Sequence, residues 1–203
     1  MYLKLLKFNS IFLCFCLVMC ISNAKNIPSF GGQYTHESGR FSLPYPVQYG
    51  EYFDSKESVA FYGPLAEYYF INFFLLNDKQ ILNTSNISKK EEFSSFGRLN
   101  LLKSQESKFP GSYIIKDEFL ERENDLEYVV YFYLPKGSTF RKNGVHQDIE
   151  SGFLVFREKN YVFIINAHYK PRLMGDTIET VEDKILQIKK SLISIRSGMK
   201  LNI

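Results

Sequence analysis

Beyond residue 25 the chain is a succession of apolar runs at strand spacing, interrupted by two stretches at helical spacing. Arg40-Phe41-Ser42-Leu43 alternates polar with apolar, and Pro44 and Pro46 close it, as expected of a short strand. Residues 49–64 are mixed, with a short strand expected at 58–62. Residues 67–76 (EYYFINFFLL) are β-branched and aromatic enough for a buried strand, although an apolar run alone does not exclude a helix. Four further runs follow, at 113–120, 126–134, 152–157 and 161–168. The polar connections at 121–125 and 158–160 are short, so each pair of runs predicts a hairpin. LEYVVYFYL at 126–134 predicts a strand covered on both faces, or one with a tyrosine-rich face left half wet. Residues 136–151 make one long loop, or a ragged hairpin extension around Asn143-Gly144.

The two helical stretches carry start and stop signals. Ser88-Lys89-Lys90-Glu91 fits a capping box, with Phe93, Phe96, Leu99 and Leu102 at helical spacing and Pro110-Gly111 as the stop. Asp176-Thr177-Ile178-Glu179 repeats the capping logic. Ile178, Val181, Ile185, Ile188, Leu192 and Ile195 then recur at steps of three and four, one helix face. Glu179, Glu182 and Asp183 lie near its start, Lys189, Lys190 and Arg196 near its end, as the helix dipole favours. Gly198 suits the position just past the last turn. Successive hairpins plus two helices predict an α+β domain over residues 40–196, an antiparallel sheet with a mid-chain and a C-terminal helix packed on it. Residues 25–39 predict a flexible lead-in, and 197–203 a C-terminal tail.

The first 24 residues follow another pattern. Lys4 and Lys7 precede an unbroken apolar run at 11–21, and Ser22-Asn23-Ala24 places small residues where a signal peptidase reads them. The run is shorter than the roughly 20 apolar residues of a transmembrane helix. Export with cleavage after Ala24 is therefore expected, leaving no transmembrane segment in the mature chain. Leu17-Val18-Met19-Cys20 offers an alternative with lipid on Cys20, but Met19 stands where Gly, Ala or Ser is usual.

This cut changes the composition. Cys14, Cys16 and Cys20 are the chain's three cysteines, and all leave with the signal; without Lys4 and Lys7 the net charge falls from +3 to +1. A disulfide scaffold, a thiol enzyme, a cysteine-built zinc site and a strongly basic nucleic-acid binder are excluded for the mature chain. A cysteine-free domain of this size folds on its hydrophobic core, which suits a bacterial periplasm or secretion from a bacterium. The overlapping sequons Asn83-Thr84-Ser85 and Asn86-Ile87-Ser88 match linker composition.

The order of elements resembles the PsbP-like fold, which includes the photosystem II subunit PsbP, exported proteins of the DcrB and LpqN type, and a Ran-binding import factor. The likeness rests on the opening strand FSLPYP, the mid-chain helix and its two strands, the pair SGFLVFREKNYVFIINAHY, and the closing helix with ILQIKKSLISI. It spans roughly residues 40 to 196 by element order. It implies a fold whose members mostly bind or help assemble partners, with no common catalytic site. No member's functional motif is matched, so no site residue is carried over.

The chain contains no G-x-S-x-G, Walker A, G-x-G-x-x-G, H-E-x-x-H or EF-hand motif, and no motif implies a cofactor. His146, Asp148 and Glu150 alternate, so on one strand they would share a face and could hold zinc or manganese; a polar loop edge in water is the plainer reading. His168 ends an apolar strand and suits a partly buried, hydrogen-bonded histidine. His36-Glu37 falls in the lead-in, where it would be solvated. Glu91-Glu92 and the acids at 121–125 sit where a helix start and a turn favour them for structural reasons, not across a glycosidase cleft. Tyr128, Tyr131 and Tyr133 either form a contact patch on one strand or fill the core of a chain without tryptophan. The sequence thus predicts an exported, non-enzymatic protein that binds a protein or envelope partner. The alternatives are a secreted hydrolase or metal-dependent enzyme using the His/Asp/Glu cluster, and a small-ligand or lipid carrier.

Overall fold

A computed structural model describes residues 25–26, 32–44, 51–62, 68–76, 88–122, 125–137, 141–142, 144–169 and 180–203. The expected signal segment, Cys14, Cys16, Cys20, the cleavage position Ala24 and the sequon stretch at 83–87 lie outside the described residues. The apolar runs form the strands β1 (Lys25–Asn26), β2 (Gln33–Thr35), β3 (Phe41–Pro44), β4 (Glu51–Ser55), β5 (Ser58–Tyr62) and β6 (Tyr68–Leu75). They continue as β7 (Tyr113–Arg122), β8 (Asp125–Leu134), β9 (Arg141–Lys142), β10 (Val145–His146), β11 (Ile149–Glu158), β12 (Tyr161–His168) and β13 (Lys200–Leu201). Eight of them make one antiparallel sheet in the order β1-β4-β5-β6-β12-β11-β8-β7, and β13-β3-β2 make a second, smaller one. The expected hairpins β7–β8 and β11–β12 are present. The stretch at 136–151 contains the small hairpin β9–β10, so it is the ragged extension, not an open loop.

Strand alternation divides the core into two layers. Val129 and Tyr131 of β8 join Leu154, Phe156, Phe163 and Ile165 on one face of the large sheet, under the C-terminal helix α3 (Val181–Gly198) and the small sheet. Tyr128, Val130 and Phe132 point the other way, with Val155 and Ile164, under the mid-chain helix. This two-sided cover is why β8 runs apolar at nearly every position.

The mid-chain helix opens on the expected capping box, where the Ser88 hydroxyl accepts from the Glu91 amide and the Glu91 carboxylate accepts from the Ser88 amide. It runs as α1 (Lys89–Ser95), a π-helical turn (Phe96–Leu101) and α2 (Leu102–Lys108). The wider turn changes which residues face the sheet: Leu101 is fully buried while Leu99, expected on the buried face, is 44% exposed. A Cβ on Gly97 would stand 2.3 Å from Tyr128 Cε1, so the turn rests on that ring only because position 97 lacks a side chain.

α3 begins at Val181, and the expected start at Asp176 to Glu179, with Ile178, lies outside the described residues. Thr180 caps it, accepting from the Asp183 amide while Asp183 accepts from the Thr180 amide. Ile185, Ile188 and Leu192 face the sheet, while Val181 in the first turn stays exposed. The helix continues through Gly198 to an extended cap at Met199.

The ends of the domain are tied in. Tyr34 and His36 of the expected lead-in are 2% and 1% exposed, because β2 pairs with β3 and the His36 ring stacks on Phe41. His36 Nε2 also lies 2.8 Å from the Ser55 carbonyl, so it is structural and not solvated. The expected tail pairs as β13 with β3, and Met199 is buried.

Candidate functional site

The residues that gather at one end of the large sheet do so through strand register. Tyr113 of β7 faces Tyr133 of β8, and Tyr133 faces Glu150 of β11. The Tyr169 amide donates to the Glu150 carbonyl at 3.0 Å and brings a third ring alongside. The row Tyr113, Tyr133, Glu150, Tyr169 therefore crosses the sheet edge on the face that carries α3.

Each member is held by chemistry suited to its position. The Tyr113 and Tyr133 rings stack with centroids 5.1 Å apart, and Tyr113 is 53% exposed. The Tyr133 hydroxyl donates to Asp148 at 2.5 Å, and Asp148 also accepts from the Lys136 amide at 2.9 Å. That bond holds the Tyr133 phenol up at about 12 and lowers the Asp148 carboxyl, so tyrosine stays neutral and aspartate ionised at neutral pH. Glu150 is buried and pairs with Lys184 of α3 at 2.6 Å, and the Lys184 ammonium lies 5.3 Å from the Tyr169 ring centroid. The result is a rigid amphipathic surface, with two charged groups committed to fixing the rings.

The candidate metal cluster is not assembled among the described residues. His146 lies on β10, but residues 147–148 run irregularly into β11, which breaks the alternation that would have put His146, Asp148 and Glu150 on one face. Asp148 turns to Tyr133 and Glu150 to Lys184, and no metal-holding group of His, Cys, Asp and Glu occurs among the described residues. The tyrosine patch of β8 is likewise divided. Tyr128 and Tyr131 are fully buried on opposite faces, donating to Asp117 at 2.8 Å and Glu118 at 2.9 Å. Only Tyr133 reaches the surface row. The acid groups set aside at the sequence level are structural: Glu91 caps α1, Glu92 pairs with Arg157 at 3.5 Å, and Asp125 with Lys89 at 2.9 Å.

His168 closes β12 with both ring nitrogens shielded from solvent. Burial pushes the imidazole down to about 3 from its usual 6.5. The unfolded chain therefore takes up a proton below about 6.5 that the native protein refuses until about 3. Stability is fully present above that window and falls as pH drops through it. Denaturant titrations at falling pH should show wild type losing up to about 1.4 kcal/mol per pH unit relative to His168→Gln. Parallel profiles for the two proteins would contradict this account.

Among the described residues no helix is long and apolar enough to cross a membrane. No family model matches the chain, and no curated protein sequence matches it. Solved structures do. Cyanobacterial PsbP (CyanoP) from Synechocystis sp. PCC 6803 superposes with a TM-score of 0.50 at 11% identity, covering 92% of this chain and 97% of its own. A protein from Bacteroides thetaiotaomicron gives 0.37 at 13% identity, over 86% of this chain and 50% of that one. A Pseudomonas aeruginosa protein of unknown function gives 0.44 at 9% identity, over 86% and 99%. With the antiparallel sheet, the mid-chain helix and the closing helix all in place along nearly the whole of CyanoP, the chain has a PsbP-like α+β fold.

Proposed function

We propose that this chain is an exported, non-enzymatic binding or assembly protein of the bacterial envelope or secretome, and that it engages a protein partner through the row of Tyr113, Tyr133 and Tyr169. The reading is carried by the stacked Tyr113–Tyr133 pair, a large flat aromatic surface that the core does not use. Tyrosine offers contact area at low entropic cost and dominates many interfaces. The charged groups around the row are spent on positioning the rings, and the phenol and carboxyl there are moved away from the range in which proton transfer at neutral pH is efficient. The N-terminal sequence supports export.

The test is quantitative capture of envelope proteins by the purified chain, compared with a Tyr113→Ala, Tyr133→Ala variant. Both side chains lie at the surface, so the variant should keep the wild-type circular dichroism. Truncating two anchoring tyrosines should weaken a specific partner by at least about tenfold. Undiminished capture of every partner would rule out the row as the binding surface.

A further inference from the structure

The large sheet ends on a long strand with nothing described beside its outer edge. β7 is ten residues long and pairs only with β8 among the described residues, whereas the opposite edge ends on the two-residue β1. All ten residues of β7 are at least partly exposed, while β8 beside it is mostly buried. A register irregularity between Ile114 and Lys116 interrupts its beginning, so the regular part is 116–122. Such an edge displays unpaired amides and carbonyls to any extended chain.

The order of charges along 116–122 decides what can add there. A second copy pairing antiparallel about a two-fold axis matches residues of the same face, so the register must be centred on a residue. Centred on Phe119, the fullest overlap puts Lys116 opposite Arg122 and Asp117 opposite Glu121. Centred on Glu118, it puts that glutamate opposite itself. Only the shorter overlap centred on Leu120 avoids a like pair, opposing Glu118 to Arg122. Like charges directly opposite each other destabilise a strand pair. Glu118 is already engaged by Lys189 at 2.7 Å and by Tyr131, and Asp117 by Arg98 and Tyr128.

We infer that the outer edge of β7 accepts a ninth strand from a partner whose charges run acid, base, apolar, apolar, neutral, base, acid, and that the same charge order disfavours the fuller overlaps with a second copy of this chain. The acids meet Arg122 and Lys116, the bases meet Glu121 and Asp117, and the apolar pair meets the half-exposed Leu120 and Phe119. This rests on the partner-binding reading above and names a segment type for it: an extended peptide, added beside the Tyr113 end of the sheet.

The probe is a blocked synthetic heptapeptide, Glu-Lys-Val-Val-Thr-Lys-Glu, against the composition-matched peptide with its Glu and Lys positions exchanged, Lys-Glu-Val-Val-Thr-Glu-Lys. With the full chain, the first should bind at least about tenfold tighter than the second, since every charged pair changes sign. In parallel, sedimentation equilibrium should find wild type monomeric. The Glu121→Lys, Arg122→Glu variant makes the full overlap self-complementary, so it should dimerise. Equal binding of the two peptides, no binding of either, a wild-type dimer that the first peptide dissociates, or a variant that stays monomeric each overturns the inference. If partner capture remains sensitive to Tyr113 and Tyr133 while the peptides fail, strand addition falls and the binding reading survives. If the first peptide binds but the tyrosine variant captures normally, the reverse holds.

Discussion

Gly152→Val should detach the C-terminal helix from the sheet, costing about 3 kcal/mol or more in urea unfolding. Gly152 sits in β11 directly beneath α3, where an added Cβ would stand 2.3 Å from Ile188 Cγ2 and 3.0 Å from Leu192 Cδ1. Ile188 and Leu192 are fully buried, and the strand below is paired on both sides, so neither surface has room to yield. Gly152→Ala meets the same obstacle with a smaller side chain. Ile188→Ala alone should cost about 2–5 kcal/mol through the cavity it opens. Combined with Gly152→Ala, it should cost less than the two singles together, because the new methyl fills that cavity. Additive losses in this cycle would mean that the helix does not rest on position 152.

A second large effect is expected where α3 ends. Arg196 donates to Glu127 at 2.8 Å, and Glu127 is 3% exposed, in β8 beneath the helix. The same guanidinium lies 4.0 Å from the Phe156 ring centroid. Arg196→Met keeps the aliphatic packing but leaves a carboxylate buried and unpaired, at a cost of about 3–5 kcal/mol. Replacing both members, Glu127→Leu with Arg196→Met, should recover most of that stability, since an apolar pair of similar volume removes the desolvation cost as well as the attraction. A loss below about 1 kcal/mol in Arg196→Met would place this pair with ordinary surface ion pairs. Lys189 with Glu118 is a comparison within the same helix: its partners are more exposed, and removing it should cost less.

Much of the architecture is written locally. The strand at 58–62 occurs with those bounds, the Ser88 capping box forms as the pattern requires, and both long hairpins are present with strands extended by a few residues. These elements depend on neighbours in sequence. The features that differ depend on distant contacts. The π turn is shaped by Gly97 lying on Tyr128, a ring from another element, and nothing in the helix periodicity reveals it. Residues 33–36 look polar and loose in sequence, and their order depends on β3, which also binds β13 from the far end of the chain.

The candidate site was partly legible. Alternation along β8 already separates Tyr128 from Tyr131 and Tyr133, but parity leaves those two on one face, and only the burial of Tyr131 beneath α3 singles out Tyr133. Tyr113 could not be joined to Tyr133 without the register of β7 against β8. The candidate set His146, Asp148 and Glu150 assumed an unbroken strand, whereas residues 147–148 are irregular and the two carboxylates are engaged by Tyr133 and Lys184, contacts that alternation alone does not reveal.

The strand order also sets how the chain must fold. β4, β5 and β6 form one local meander, and β7, β8, β11 and β12 form another. The two are joined by the seam of β6 with β12, where Ile71 meets Ile165 across nearly half the chain. Each meander can form from nearby segments, but the seam, like the pairing of β3 with β13, must wait for a long loop to close, which delays completion of the fold. For a chain we propose is exported, that delay lengthens the time spent unfolded, the state in which a polypeptide can be threaded through a narrow pore.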